Sequence, residues 1–322
     1  MLILTQPPDY NTIEKAAGRI KPYIHRTPVM ASENLNNMIG AKIYFKCENL
    51  QKAGAFKSRG ACNAVFSIDK EDLSKGVCTH SSGNHAAALA RAATLRKTKA
   101  YIVMPDNSSK VKIAAVKHYG GEITLCSPNL KSREETLKKV IEKTGALEIH
   151  PYNDYRIIAG QATAAKELIE ERKDIDILMA PVGGGGLLSG TALSASYYSP
   201  DTKVIAAEPK GADDAYRSFY EGRFIPSENP VTIADGLLTS LGNLTYPIIV
   251  EHVDEILTVK EETIILAMKL IWERMKIIIE PSSAVPFAAI IENKLKFKNK
   301  IIGIILSGGN VDLEKLPWQQ TD

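Results

Sequence analysis

Short apolar, β-rich runs alternate with helical patterns along most of this 322-residue chain, and that alternation limits its fold more than any other feature. KIYFKC (42–47) reads as a strand. GVCTH (76–80) leads into the small-residue helix NHAAALARAATL, and AYIVMP (100–105) into KVKIAAVKHYG. EITLC (122–126) precedes the charged, amphipathic SREETLKKVIEK. ILMAPVG, KVIAAEP (203–209) and IIGIILSGG (301–309) are continuous apolar runs, as expected of strands covered on both faces. The pattern predicts an α/β protein with parallel sheets flanked by helices. Ahead of the series a helix is expected from about Asn11. Ile13, Ala17 and Ile20 share one of its faces, and Asn11 with Glu14 forms a capping-box-like start.

Composition narrows the function classes. Apolar residues make up 44% and charged residues 24%, an ordinary globular balance, and a net charge of +3 is too small to argue for nucleic acid or membrane partners. No run of 18 apolar residues occurs, so no membrane-spanning helix is predicted. The start MLILTQPPDYN lacks the basic and apolar regions of a signal peptide. Cys47, Cys62, Cys78 and Cys126 are far apart with no CxxC pair, which reads as reduced thiols in a cytoplasmic protein.

In open parallel sheets, ligands bind where strands end and loops lead into helices. Four such loops stand out: GAFKSRG (54–60), HSSGNH (80–85), VGGGGLLSG (182–190) and LSGGN (306–310). Four consecutive glycines let the backbone approach a ligand and turn N–H groups toward an anion at a helix N-terminus. Neither common nucleotide pattern fits that loop. Gly190 is followed by Thr191 rather than a lysine, and Leu188 stands where GxGxxG needs its last glycine. In HSSGNH, Ser81, Ser82 and Asn84 suit simple helix capping, and they equally suit a carboxylate receptor. Ser307 at a strand end can offer one hydrogen bond to a ring edge. Lys57 lies in an apolar loop, and a lysine that attacks a carbonyl must first become neutral, as a water-poor site allows. A phosphate cradle, a carboxylate receptor, a strand-end hydroxyl and an amine together suit pyridoxal phosphate.

The segments FKCENLQKAGAFKSRGACNAV, THSSGNHAAALA, PVGGGGLLSG, AAEPKGADD, TIADG, WERMKIIIEP and LSGGNVDL closely resemble the serine racemases of eukaryotes. Those enzymes belong to the fold-type II pyridoxal-phosphate group, alongside serine and threonine dehydratases. The resemblance runs in order over nearly the whole chain. It implies two open, twisted, mostly parallel sheets flanked by helices, with the active site between a large domain (1–74 and 153–322) and a small mobile domain (75–152). It further implies that Lys57 forms the covalent link to the cofactor and that Phe56 packs near its ring. Asn84 meets the ring's 3-oxygen, Gly183, Gly184, Gly185 and Gly186 bind the phosphate, and Ser307 meets the ring nitrogen. Substrate binding falls to Ser81, Ser82, Asn84, His85, Arg133 and Thr239. Lys57 and Ser82 are the two proton-transfer groups on opposite faces of the substrate.

The resemblance also places a divalent cation (Mg²⁺ or Ca²⁺, or Mn²⁺) on Glu208, Asp214 and the carbonyl of Ala212. ATP, an activator of the animal enzymes, is assigned to Ser32, Lys52, Tyr119, Lys276 and Asn310. Two departures weigh against ATP: Glu33 replaces a serine and Ala53 a threonine. Thr239 stands where the animal enzymes carry a serine, which narrows the pocket by a methyl group. The expected assembly is a homodimer acting on serine, with elimination to pyruvate and ammonia beside racemisation. A dehydratase of threonine, serine or 3-hydroxyaspartate carries the same motifs. His118, His150 and His252 read as surface or satisfied histidines, and Trp272 and Trp318 as packing residues.

Overall fold

The structure is a computed structural model that describes residues 5–81, 83–108 and 110–319. Ten strands form two sheets: β1 (Val29–Ala31), β2 (Lys42–Cys47), β3 (Val77–His80), β4 (Ala100–Pro105), β5 (Gly121–Cys126), β6 (Leu147–Glu148), β7 (Ile177–Pro181), β8 (Lys203–Pro209), β9 (Glu255–Val259) and β10 (Ile301–Leu306). The larger sheet has the order β1-β2-β10-β7-β8-β9, and the smaller β5-β4-β3-β6. Among the described residues only the β1–β2 strand pairing is antiparallel; the other strand pairings are parallel. Two mostly parallel sheets flanked by helices are what the alternating pattern and the resemblance both predict.

Strand periodicity explains the layers. Along β7, β8 and β10, Met179, Ile205 and Ile304 point to one side, where they pack with residues of helices Glu261–Met275 and Pro281–Glu292. Their neighbours Leu178, Ala180, Val204, Ala206 and Ile305 point to the other side, against Tyr155–Glu171 and Gly186–Tyr198. Both faces are therefore dry, which is why these strands read as unbroken apolar runs. In the smaller sheet, Val77, Ala100, Ile102 and Met104 pack on the alanine-rich helix Asn84–Leu95.

The first helix differs from expectation at its start. It runs Tyr10–Ile20 and is capped by Asp9, whose side chain accepts from the Thr12 N–H at 2.8 Å. A cap needs an extended backbone, which Asp9 has directly after two prolines and Asn11, already helical, does not.

Candidate active site

The carboxyl ends of β2, β3, β6, β7 and β10 all feed loops into one cleft. The loop after β2 is pinned to the end of β10: the Phe56 N–H donates to Ser307 O at 2.9 Å, and Gly309 N–H to Gly54 O at 2.9 Å. Ala55 bridges Gly308 beside them. Lys57 opens helix Lys57–Phe66 from this anchored loop. Its Nζ donates to the Pro151 carbonyl at 2.8 Å and lies 5.0 Å from the centre of the Phe56 ring. Among the described residues no carboxylate makes an ion pair with it. Burial therefore lowers its pKa to about 8, and Glu280, acting from a distance, only partly opposes this. The amine is poised to lose its proton near neutral pH.

Asn84, at the start of the alanine-rich helix, faces the same cleft. Its Nδ2 donates to the Glu280 carboxylate at 2.9 and 3.0 Å, and its Oδ1 accepts from Asn310 Nδ2 at 2.9 Å. Glu280 is buried, and its pKa rises to about 7 because burial outweighs the Asn84 bond. Ser307 is buried at the end of β10 with its hydroxyl 3.0 Å from that of Ser283. Ser283 is itself held by donating to Gly308 O and accepting from Gly308 N–H. Neither Glu280 nor Ser283 was singled out from the sequence. The available signal was an acid interrupting IIIEP, directly before the proline that starts helix Pro281–Glu292.

Gly183–Gly186 join β7 to helix Gly186–Tyr198. Gly185 has φ +85°, which side chains seldom adopt, and the Gly184 carbonyl accepts from Thr245 Oγ1 at 2.9 Å. The free N–H groups of the helix start are the natural seat of a phosphate.

On the substrate side, Ser81 N–H donates to Val103 O, and its hydroxyl accepts from Gly83 N–H at 3.3 Å. His85 is buried with Nε2 3.1 Å from Ile149 O, and burial holds its pKa well below the usual value. Arg133, from helix Leu130–Thr144, acts electrostatically on His80, and its buried Nε has no hydrogen-bond partner among the described residues. The Thr239 side chain is a polar neighbour of the Tyr152 hydroxyl. Ser82 lies outside the described residues. His150 is a satisfied histidine, as read from the sequence, since its Nδ1 accepts from the Tyr152 and Asn153 N–H groups. It stands in the wall of the cleft, within electrostatic reach of Lys57.

Glu208 and Asp214 form a separate acidic pair after β8. Glu208 is wholly buried, accepts from the Ala215 and Tyr216 N–H groups, and is pushed well above its usual pKa by burial and by Asp214. Asp214 rises to about 6, burial outweighing the pull of Ser227 and Arg217. Its carboxylate oxygens are buried without a hydrogen bond of ordinary geometry among the described residues. Two buried acids with unspent lone pairs beside the buried Ala212 fit a hard cation completed by carbonyl and water oxygens. Of the residues assigned to ATP, Asn310 also donates to Ala53 O beside Lys52. Ser32 caps helix Glu33–Ile39, Lys276 ends helix Glu261–Met275, and Tyr119 packs on the core of the smaller sheet. Trp272 and Trp318 meet edge to face at 5.2 Å within the larger core.

The donor set fits the cofactor read from the sequence: a low-pKa amine, a glycine turn at a helix start and a buried strand-end hydroxyl face one cleft. Known proteins agree. The family profile described as "Pyridoxal-phosphate dependent enzyme" matches residues 20–308. A β-hydroxyaspartate dehydratase from Paracoccus denitrificans is 53% identical, over 97% of this chain and 99% of its own. A serine racemase from Dictyostelium discoideum is 52% identical, over 94% of this chain and 95% of its own. The solved structure of maize serine racemase aligns with a TM-score of 0.93 at 48% identity, covering 95% of this chain and 94% of that one. The chain belongs to the pyridoxal-phosphate dependent enzymes of fold type II.

Proposed function

We propose that this enzyme is a serine racemase that also eliminates water from serine, releasing pyruvate and ammonia. The observation that supports it most is the meeting of Lys57, Asn84, Ser307 and the glycine loop on one cleft. Pyridoxal phosphate, when bound, supplies an aldehyde that joins an amine and a ring that draws electrons from the α-carbon. Gly183–Gly186 would hold its phosphate, Ser307 its ring nitrogen, Asn84 its 3-oxygen and Phe56 the side of its ring. A hydroxyl at the ring nitrogen stabilises positive charge there less than a carboxylate does.

Lys57 Nζ takes or returns the α-proton on one face of the substrate. The Pro151 carbonyl keeps the released amine in place between transfers. Ser81, Asn84, His85 and Arg133 form the receptor for the substrate carboxylate. Ser82, by resemblance, delivers the proton on the opposite face, and Thr239 lines the pocket near the β-substituent. Glu208, Asp214 and the Ala212 carbonyl would hold a divalent cation that neutralises the acidic pair. We read residues 75–152 as a smaller domain that closes on the larger one, and the assembly as a homodimer in the cytoplasm. ATP activation through Ser32, Lys52, Tyr119, Lys276 and Asn310 is the reading that an ATP titration of activity tests; a flat response removes it.

The second reading, a dehydratase of 3-hydroxyaspartate, threonine or serine with little racemisation, draws support from the 53% identity to a β-hydroxyaspartate dehydratase. One experiment separates the two. The enzyme is incubated with L-serine or with 3-hydroxyaspartate, and D-serine is followed by chiral chromatography beside keto-acid release. D-serine accompanied by pyruvate supports the racemase. Keto acid from 3-hydroxyaspartate without any D-serine supports the dehydratase. Turnover of neither substrate, with no visible absorption from lysine-bound cofactor, overturns both.

A further inference from the structure

Residues 150–153, between β6 and helix Tyr155–Glu171, reach Lys57, the glycine loop and the loop after Thr239, yet no motif in the sequence marks them. Pro151 O holds Lys57 Nζ. Asn153 Oδ1 accepts from the Leu244 N–H at 2.9 Å, and its Nδ2 donates to Asn243 Oδ1 at 2.6 Å, which fixes the loop after Thr239. Between them, Tyr152 lies directly on the glycine loop. A Cβ added at Gly184 would fall 2.3–2.4 Å from three carbons of the Tyr152 ring. One added at Gly186 would fall 2.9 Å from Tyr152 Cβ. No real Cβ tolerates such distances, so two of the four glycines are needed to make room for this tyrosine. The His150 ring backs the phenol edge-on at 4.6 Å, and the same His150 accepts the Tyr152 N–H.

We propose that Tyr152 is a cofactor-positioning residue: its ring is the wall against which Gly184–Gly186 are shaped to present their N–H groups to the phosphate. This rests on the pyridoxal-phosphate reading above. The ring carries the effect, since it is the ring that fills the space left by the missing side chains. Its hydroxyl faces Thr239 and serves the substrate side. Removing the wall lets the loop relax, and losing one charge-assisted N–H contact weakens an anion by about tenfold.

The test compares Tyr152→Ala and Tyr152→Phe with the unaltered enzyme. Each cofactor-free protein is titrated with pyridoxal phosphate and, separately, with pyridoxal, which lacks the phosphate. Tyr152→Ala is expected to raise the Kd for pyridoxal phosphate about tenfold and leave that for pyridoxal within about twofold. Tyr152→Phe is expected to keep both. A merely structural role would weaken pyridoxal and pyridoxal phosphate alike, and that result overturns the proposal. So does unchanged phosphate-dependent affinity in Tyr152→Ala, or an equal loss in Tyr152→Phe. Should Tyr152→Ala fail to fold, Tyr152→Leu replaces it: a flexible aliphatic side chain is expected to raise the pyridoxal phosphate Kd selectively, and no change overturns the proposal. Failure of the underlying reading looks different, because the unaltered protein would then bind no cofactor through Lys57.

Discussion

Lys57 and Arg59 stand two residues apart on one helix and live in opposite electrostatic worlds. Arg59 is wholly buried, with bidentate bonds to Glu48 at 2.7 Å and to Glu167 at 2.8 Å. Lys46 joins the same group through Glu167 at 2.6 Å. Two cations and two carboxylates balance there, so Arg59 is held charged despite the cost of burial, its carboxylate partners outweighing desolvation. Lys57 receives a carbonyl and an aromatic face instead, and its pKa falls to about 8. Neighbours, rather than burial alone, decide whether a cation on this helix is a fixed strut or a working amine.

Breaking each side of this contrast gives different losses. Lys57→Ala is expected to lower turnover of any substrate by about a thousandfold or more, with the fold intact by circular dichroism, because it removes the amine assigned to the cofactor link and to proton transfer. Arg59→Met is expected to cost about 3–5 kcal/mol of stability in urea unfolding, since it takes the cation from the buried Glu48 and leaves the partly buried Glu167 with Lys46 alone.

The pH dependence of stability sharpens the contrast. Lys57 falls from its ordinary 10.5 to about 8 on folding, so between those values the unfolded chain binds more protons and stability rises with pH. Glu280 moves the other way, from 4.5 to about 7, so stability falls as pH rises through that window. In the cofactor-free protein, Lys57→Met should flatten the alkaline slope and Glu280→Gln the acid one; urea midpoints across pH 4.5–10.5 read both. The smallest effect is on the amine itself. Glu280 favours charged Lys57 from a distance, so Glu280→Gln should shift the acid limb of the pH–rate profile to lower pH, by less than about one unit.

Much of this site was legible as chemistry at loop positions. The glycine run, HSSGNH, the lysine loop and SGG each carry residue types that do something at a strand end, and the parallel fold puts strand ends together. Glu280, Ser283 and Tyr152 were not legible, for a common reason. Each acts on a residue far away in sequence: Glu280 on Asn84, Ser283 on Ser307, Tyr152 on Gly184. Their own surroundings, an apolar run, a helix start and a loop, say nothing about what packs opposite. The same holds for Arg59, whose partners Glu48 and Glu167 lie on separate elements.

The sequence by itself determined the layers, because strands dry on both faces must be apolar throughout and their helices must alternate with them. It also determined which loops could bind an anion or lose a proton, because glycine, serine and lysine carry those capacities wherever they stand. Only the tertiary structure decided which cation of this helix has its pKa lowered by burial and which is held charged by carboxylates. A pKa is set by what lies within a few ångströms, and for Lys57 those neighbours are Pro151 and Phe56, while Glu280 reaches it only from afar.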